Sequence, residues 1–238
     1  MPSARSRSSS SGSVLGHGDL SSSLLFIFPL LLVYEAAVIF SPVSNGVDFV
    51  SRNLFVLVGD SKQNYLIVHL ILAVVYVVYL LFRRRQGKLK TAAFFPMLLE
   101  SAVWALAIGS LILFVMRDLL HIDPRLAIGD AAQKVVLALG AGVHEELVFR
   151  LGLCAGGAAL LKTAGVRHGI AMVLAFAVSS AAFSAAHHVG ALGDPWALGV
   201  FVYRLLAGLI FASIFYFRSL AHAVYAHALY DIYVMLLS

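Results

Sequence analysis

The sequence predicts an all-α protein, a polytopic bundle of about seven transmembrane helices. Hydrophobic residues make up 61% of the 238 residues and charged residues only 12%. The mean hydropathy of +0.93 is far above that of soluble globular domains. Apolar segments of about 20 residues, the length that crosses the hydrocarbon core of a bilayer, recur along the chain. These observations exclude an ordinary soluble domain.

The predicted spans cover most of the chain and form one domain. Residues 1–21 are rich in Ser and Gly, and we expect a flexible N-terminal tail because they hold too few apolar side chains to bury a core. Residues 22–238 contain no internal repeat or long linker and are expected to form a single transmembrane domain. The predicted spans are residues 22–41, 64–82, 94–116, 133–156, 168–188, 196–217 and 219–237.

Basic residues are concentrated in the short connections between the apolar segments. Residues 83–90 hold the densest positive charge, and the positive-inside rule predicts that this connection and the N-terminus face the cytoplasm. The expected location is the bacterial inner (cell) membrane, with the lipid bilayer as the surrounding partner. The net charge of +5 is therefore interpreted as a topology signal, and nucleic acid is not an expected partner.

The first of three ionisable motifs is Glu145, Glu146 and Arg150, in the apolar segment 133–156. In a helix, Glu146 and Arg150 are four residues apart and can form an ion pair, whereas Glu145 points about 100° away from Glu146. A carboxyl group in apolar surroundings can accept and donate protons near neutral pH, so Glu145 is a candidate for activating water. The alternative is that both glutamates pair with Arg150 and His144 only to hold helices together.

Two further motifs follow in later segments. Phe183 and His187 are one helical turn apart, so the phenyl ring can pack against the imidazole and orient it, while His188 points elsewhere. His227 and Asp231 are four residues apart on the last segment, within reach of one another. Taken singly, each motif could be an interfacial side chain whose polar end reaches water. Their joint occurrence favours one shared polar site.

Glu145, His187, His227 and Asp231 form a set of acids and imidazoles on three predicted helices. The set could activate water directly, or it could bind a divalent metal through these same four side chains. Both routes lead to hydrolysis. We expect no cofactor and keep the divalent metal as the alternative. Gly-x-Ser-x-Gly and His-Glu-x-x-His sequences do not occur, so serine and zincin mechanisms lack their residues.

The order Glu-Glu-x-x-x-Arg, Phe-x-x-x-His and His-x-x-x-Asp resembles the CAAX protease and bacteriocin-processing (CPBP, or Abi) family of intramembrane proteases. That family includes the type II CAAX prenyl endopeptidases. The resemblance covers residues 135–238, and the first three segments offer no motif. It implies a glutamic-type endopeptidase acting on a membrane-anchored or C-terminally tailed protein, with Glu145 and His187 activating water and His227 stabilising the oxyanion.

Glu146, Arg150 and Phe183 would then have supporting roles, the first two as a helix-tethering ion pair. The sequence departs from the prenyl endopeptidases at Asp231, where Asn is frequent. A carboxylate cannot donate a hydrogen bond unless protonated, so we expect Asp231 to hold His227 in its donor tautomer. Two other functions stay open: a non-catalytic immunity or scaffold protein with a helix-locking polar network, and, less favoured, a proton-coupled transporter.

Overall fold

The computed structural model describes residues 19–40, 49–86, 91–119, 121, 130–189 and 193–237. These residues contain helices and no strand, which confirms the predicted all-α class. Most of the predicted N-terminal tail, residues 1–18, lies outside them. The first helix begins at Leu20, because the Asp19 carboxylate accepts hydrogen bonds from the backbone N–H groups of Ser21 and Ser22 at 3.3 and 3.0 Å and so caps the helix.

Eight helices follow one another in the described residues. We number them α1 (Leu20–Phe40), α2 (Phe49–Leu57), α3 (Lys62–Arg85), α4 (Phe94–Phe114), α5 (residues 131–163), α6 (His168–Ala186), α7 (Leu198–Phe217) and α8 (Leu220–Leu237). Helix α4 is preceded by a 3₁₀ turn and followed by a π-helical turn, Val115–Leu119. Helix α5 consists of Ala131–Gly140, the π-helical stretch Ala141–Gly156 and Gly157–Thr163.

Each of the seven predicted segments corresponds to one of the long helices. Helix α2 has no counterpart among them, because nine residues are too few to cross a bilayer. Within the described part of the chain, five helices are long and apolar enough to span a membrane: α1, α3, α4 with its π-helical turn, α6 and α7. The two remaining long helices, α5 and α8, carry the first and third motifs.

The centre of the bundle is formed by α5 and α8 together. Helix α8 packs against α1, α4, α5 and α7, and its first nine residues, 220–228, are buried apart from the half-buried His222. Helix α3 lies at the periphery, where Tyr65 is its one buried residue in the described chain. The polar motifs of α5 and α8 are therefore enclosed by apolar helices instead of facing lipid.

Gly142 brings α5 and α8 into direct backbone contact. A Cβ atom added there would lie 2.7 Å from the Ala228 Cβ and 2.8 Å from both the Ala228 nitrogen and the Val224 carbonyl oxygen. Small residues at a helix crossing permit this approach in membranes. The close approach brings the motif residues of the two helices within reach of one another.

We expect Gly142→Ala to lower the free energy of unfolding by about 1–3 kcal/mol, because backbone atoms of α8 cannot move aside as a flexible side chain can. The measurement is unfolding of the purified protein in detergent micelles with increasing SDS. Gly157→Ala, on the same helix, is the matched control, since an added Cβ there meets nothing within 4 Å. Equal stability of the two variants would contradict the close packing of α5 on α8.

Candidate active site

Three helices bring the predicted acid and imidazole side chains together. Glu145 lies in the π-helical stretch of α5, His187 follows the last residue of α6, and His227 and Asp231 lie on α8. The Glu145 Oε2 atom is 3.7 Å from the His187 Nε2 atom and 3.9 Å from the His227 Nε2 atom. These separations exceed a direct hydrogen bond, and a water molecule that lies beside each pair can bond to both of its members.

The centre of this cluster is more enclosed than its edge. Glu145 and His227 are only 5% and 2% exposed. The side chains of His187 and Asp231 keep 28% and 15% of their surface accessible. The more accessible side chains of the cluster therefore lie at the end of α6 and on α8. In so enclosed a site, electrostatic interactions are stronger than they are in water.

The orientation of His187 is fixed from within α6. Its Nδ1 atom is 2.8 Å from the Phe183 carbonyl oxygen, and its ring meets the Phe183 ring edge to face at 4.9 Å. A carbonyl oxygen can only accept, so Nδ1 carries the proton. In neutral His187 the Nε2 atom therefore presents a lone pair toward Glu145, which suits a proton acceptor.

The orientation of His227 is fixed by Glu146. The His227 Nδ1 atom is 2.7 Å from Glu146 Oε1, and its ring stacks on Phe211 with a centroid distance of 4.4 Å. Because a carboxylate accepts, Nδ1 carries a proton, and Nε2 becomes a donor only in the imidazolium form. The carboxylates of Glu145 and Asp231, 3.9 and 3.6 Å from Nε2, favour this positive charge together with Glu146.

Glu146 and Arg150 form the ion pair that their spacing predicts. The Arg150 Nε atom is 3.1 Å from Glu146 Oε2, although it is not directed as a hydrogen bond, and both side chains are fully buried. Arg150 also donates from Nη2 to the Gly208 carbonyl at 3.2 Å and lies over the Phe183 ring at 4.6 Å. Glu146 thus links α5 to three other helices: its partner Arg150 contacts α6 and α7, and its partner His227 lies on α8.

The sequence did not predict the hydrogen bond between Glu146 and His227. The two residues are 81 positions apart, so no local spacing could indicate it. The structure gives Glu146 the direct hydrogen bond to His227, whereas Asp231 lies at 3.6 Å from the other ring nitrogen, beyond hydrogen-bonding distance. An orienting role for Asp231 stays a prediction.

His144 and His188 are directed away from the predicted cluster. The His144 Nε2 atom faces the buried Glu35 of α1 at 3.8 Å, and a purely structural tethering role for the two glutamates stays an alternative interpretation. His188 Nδ1 lies 3.1 Å from the Asp194 carbonyl oxygen. Sequence reasoning overlooked Glu35. Its one signal was a carboxyl group inside an otherwise apolar segment, without an ionisable partner at helical spacing.

The described residues contain no set of side chains arranged to bind a divalent metal, which was the alternative interpretation of the cluster. No group of three or more His, Cys, Asp or Glu side chains there stands in a geometry that could hold a metal ion. The four side chains of the cluster face one another across gaps of 3.6–3.9 Å around Glu145 and His227. Metal dependence stays a prediction.

The fold and the cluster define a polytopic helical membrane protein with carboxylates and imidazoles enclosed at its centre. Residues 127–233 match the sequence model of the family described as type II CAAX prenyl endopeptidase Rce1-like. This match confirms the resemblance that the three motifs indicate, and it supports a CAAX-type intramembrane protease in general. No curated protein and no solved structure matches the chain.

The buried ion pair predicts a large stability effect. We expect Arg150→Met to lower the free energy of unfolding by about 3–5 kcal/mol, because it leaves the buried Glu146 carboxylate without its guanidinium partner. The measurement is the same SDS-driven unfolding in micelles. Arg218→Met is the matched control: the Arg218 side chain is 49% exposed in its pair with Glu100, and such pairs contribute about 0–1 kcal/mol. A similar loss of unfolding free energy in the two variants would contradict the expectation that the buried ion pair matters more for stability than the exposed one.

Proposed function

We propose that this protein is an intramembrane endopeptidase of the glutamic type, which hydrolyses a peptide bond in a membrane-associated protein or peptide. The observation that carries the proposal is the convergence of His187 and His227 on the Glu145 carboxylate, whose Oε2 atom lies 3.7 and 3.9 Å from their Nε2 atoms. These residues come from three helices, which is hard to explain by local needs of any one helix. The match to the Rce1-like family supports the same reaction class.

In the proposed reaction, a water molecule between Glu145 and His187 attacks the carbonyl carbon of the substrate. The Glu145 carboxylate and the Nε2 lone pair of His187 both accept hydrogen bonds from this water, and one of the two groups takes its proton as the C–O bond forms. Burial of Glu145, which is 5% exposed, strengthens both interactions because bulk water does not compete.

The negative oxygen of the resulting tetrahedral intermediate would be stabilised by His227. In its imidazolium form His227 presents an N–H at Nε2, on the side facing Glu145, and it is held there by Glu146 and Phe211. A preorganised donor of this kind costs no reorganisation when charge develops. The intermediate collapses as the C–N bond breaks, and the proton taken from water passes to the leaving amine.

The substrate class follows from the location of the site and from the family. We propose a protein held at the membrane by a lipid anchor or a C-terminal tail, whose scissile bond enters between the end of α6 and α8, where His187 and Asp231 are accessible. The family description names prenyl endopeptidases, so a prenylated CAAX peptide is the first substrate to test. We also propose that the N-terminus faces the cytoplasm of a bacterial cell, as the basic connection 83–90 indicates.

The central prediction concerns the two groups that would activate water. We expect Glu145→Gln and His187→Asn each to lower kcat/KM by about 10²–10⁴-fold, because each removes a proton acceptor while keeping a side chain of similar shape. The measurement is cleavage of an internally quenched, farnesylated CAAX peptide by the protein in lipid vesicles.

Glu100→Gln is the matched control, since Glu100 is a partly exposed glutamate of α4 that pairs with Arg218 and His222. It should cleave the peptide at close to the wild-type rate. Normal cleavage by Glu145→Gln protein that inserts correctly would refute the proposal. If these variants instead lost a protective or assembly function while cleavage was unchanged, the non-catalytic immunity or scaffold interpretation would be favoured.

A further inference from the structure

A second polar cluster lies on the other side of α5, among helices in which the sequence offered no motif. Its centre is the Glu35 carboxylate of α1, only 4% exposed. Glu35 accepts a hydrogen bond from the Ser51 hydroxyl at 2.6 Å and another from the Tyr65 hydroxyl. Two imidazole Nε2 atoms also face it, that of His69 at 3.4 Å and that of His144 at 3.8 Å. The cluster therefore connects α1, α2, α3 and α5.

The two imidazoles of this cluster are oriented in the same way. The Nδ1 atom of His69 is 2.8 Å from the Tyr65 carbonyl oxygen, and that of His144 is 3.1 Å from the Gly140 carbonyl oxygen. Each Nδ1 therefore donates to a carbonyl four residues earlier, and each Nε2 is directed at the carboxylate. The His144 ring is further confined by the ring of Tyr34, at a centroid distance of 4.9 Å.

His144 directly precedes Glu145, and Glu146 directly follows it. His144 faces Glu35 of α1, whereas Glu146 bonds His227 of α8 at 2.7 Å. The two sequence neighbours of Glu145 thus face different helices on different sides of α5, His144 at 3.8 Å and Glu146 through a 2.7 Å hydrogen bond. Contacts on two sides restrict both rotation and sliding of α5 at Glu145, which a contact on one side alone would leave partly free.

We propose that Glu35 is a positioning residue of the active site, acting through His144 to set the orientation and depth of Glu145. This inference rests on the proposed function, because it assigns Glu35 a part in the same reaction. Glu35 does not touch the reacting atoms. Its effect arises because displacement of a reacting group by about 1 Å can lower a rate by about 10²-fold.

The proposal is first tested without substrate, by the ¹⁵N resonances of the imidazoles in protein reconstituted into lipid vesicles. We expect Glu35→Gln and His144→Asn each to shift the resonances of His187 and His227, because both rings face the Glu145 carboxylate. His69→Asn is the matched control: it removes a ring that faces the same carboxylate but belongs to the peripheral helix α3 and is not adjacent to Glu145 in the chain, so it should leave both resonances in place. Unchanged resonances in Glu35→Gln protein would overturn the positioning role.

Kinetics then test whether Glu35 acts through His144, with the farnesylated CAAX peptide as the probe. We expect Glu35→Gln and His144→Asn each to lower kcat by about 10–100-fold with little change in KM, because the chemical step is affected more than binding. The double variant should be no slower than the slower single variant, since both changes interrupt one path. His144→Gln should recover much of the rate, because its amide can donate to Glu35 from near the Nε2 position.

The inference would be overturned if the fold-loss of kcat in the double variant equalled the product of the two single losses. It would also be overturned if His69→Asn lowered kcat as much as His144→Asn does. The cluster would then be a purely structural tether. Failure of the proposed function gives a different pattern. In that case Glu145→Gln protein cleaves as well as the wild type, while the imidazole resonances still report whether Glu35 and His144 position Glu145.

Discussion

Burial of the Glu146 carboxylate is the constraint on which the site depends. A charged side chain with no exposed surface requires partners, and Glu146 has two, Arg150 on its own helix and His227 on α8. Arg150 in turn is fully buried and bonds the Gly208 carbonyl of α7. The need to compensate one charge thereby determines how three helices meet. The contacts of Arg150 and His227 then position the groups proposed to act on substrate.

The close approach at Gly142 makes this arrangement possible. A larger residue would separate α5 from α8 at Ala228, one position after His227. Separation would lengthen the 2.7 Å hydrogen bond between Glu146 and His227. Packing and electrostatics are therefore coupled at this crossing: the small residue brings the charges together, and the hydrogen bond gives the crossing a preferred register. The position of His227, the proposed oxyanion donor, depends on both the close packing and the hydrogen bond.

The two polar clusters of the bundle are chemically similar, since in each a buried carboxylate faces two imidazole Nε2 atoms. They differ in access to the outside. His187, beside Glu145, keeps 28% of its side-chain surface exposed, whereas His69 and His144, beside Glu35, keep 13% and 5%. The first cluster is therefore the more accessible of the two in the described residues. This difference is why we assign hydrolysis to Glu145 and a positioning role to Glu35.

The sequence by itself determined the helical class, the seven long apolar segments and the three motifs, because hydropathy and helical spacing are local properties of the chain. It also indicated that Glu146 and Arg150 would pair, since they are four residues apart. Only the tertiary structure decided that Glu146 orients His227, that His144 turns toward Glu35, and that α8 shares the centre of the bundle with α5. These contacts join residues far apart in the chain, and their partners are selected by helix packing and by the cost of leaving a buried charge uncompensated.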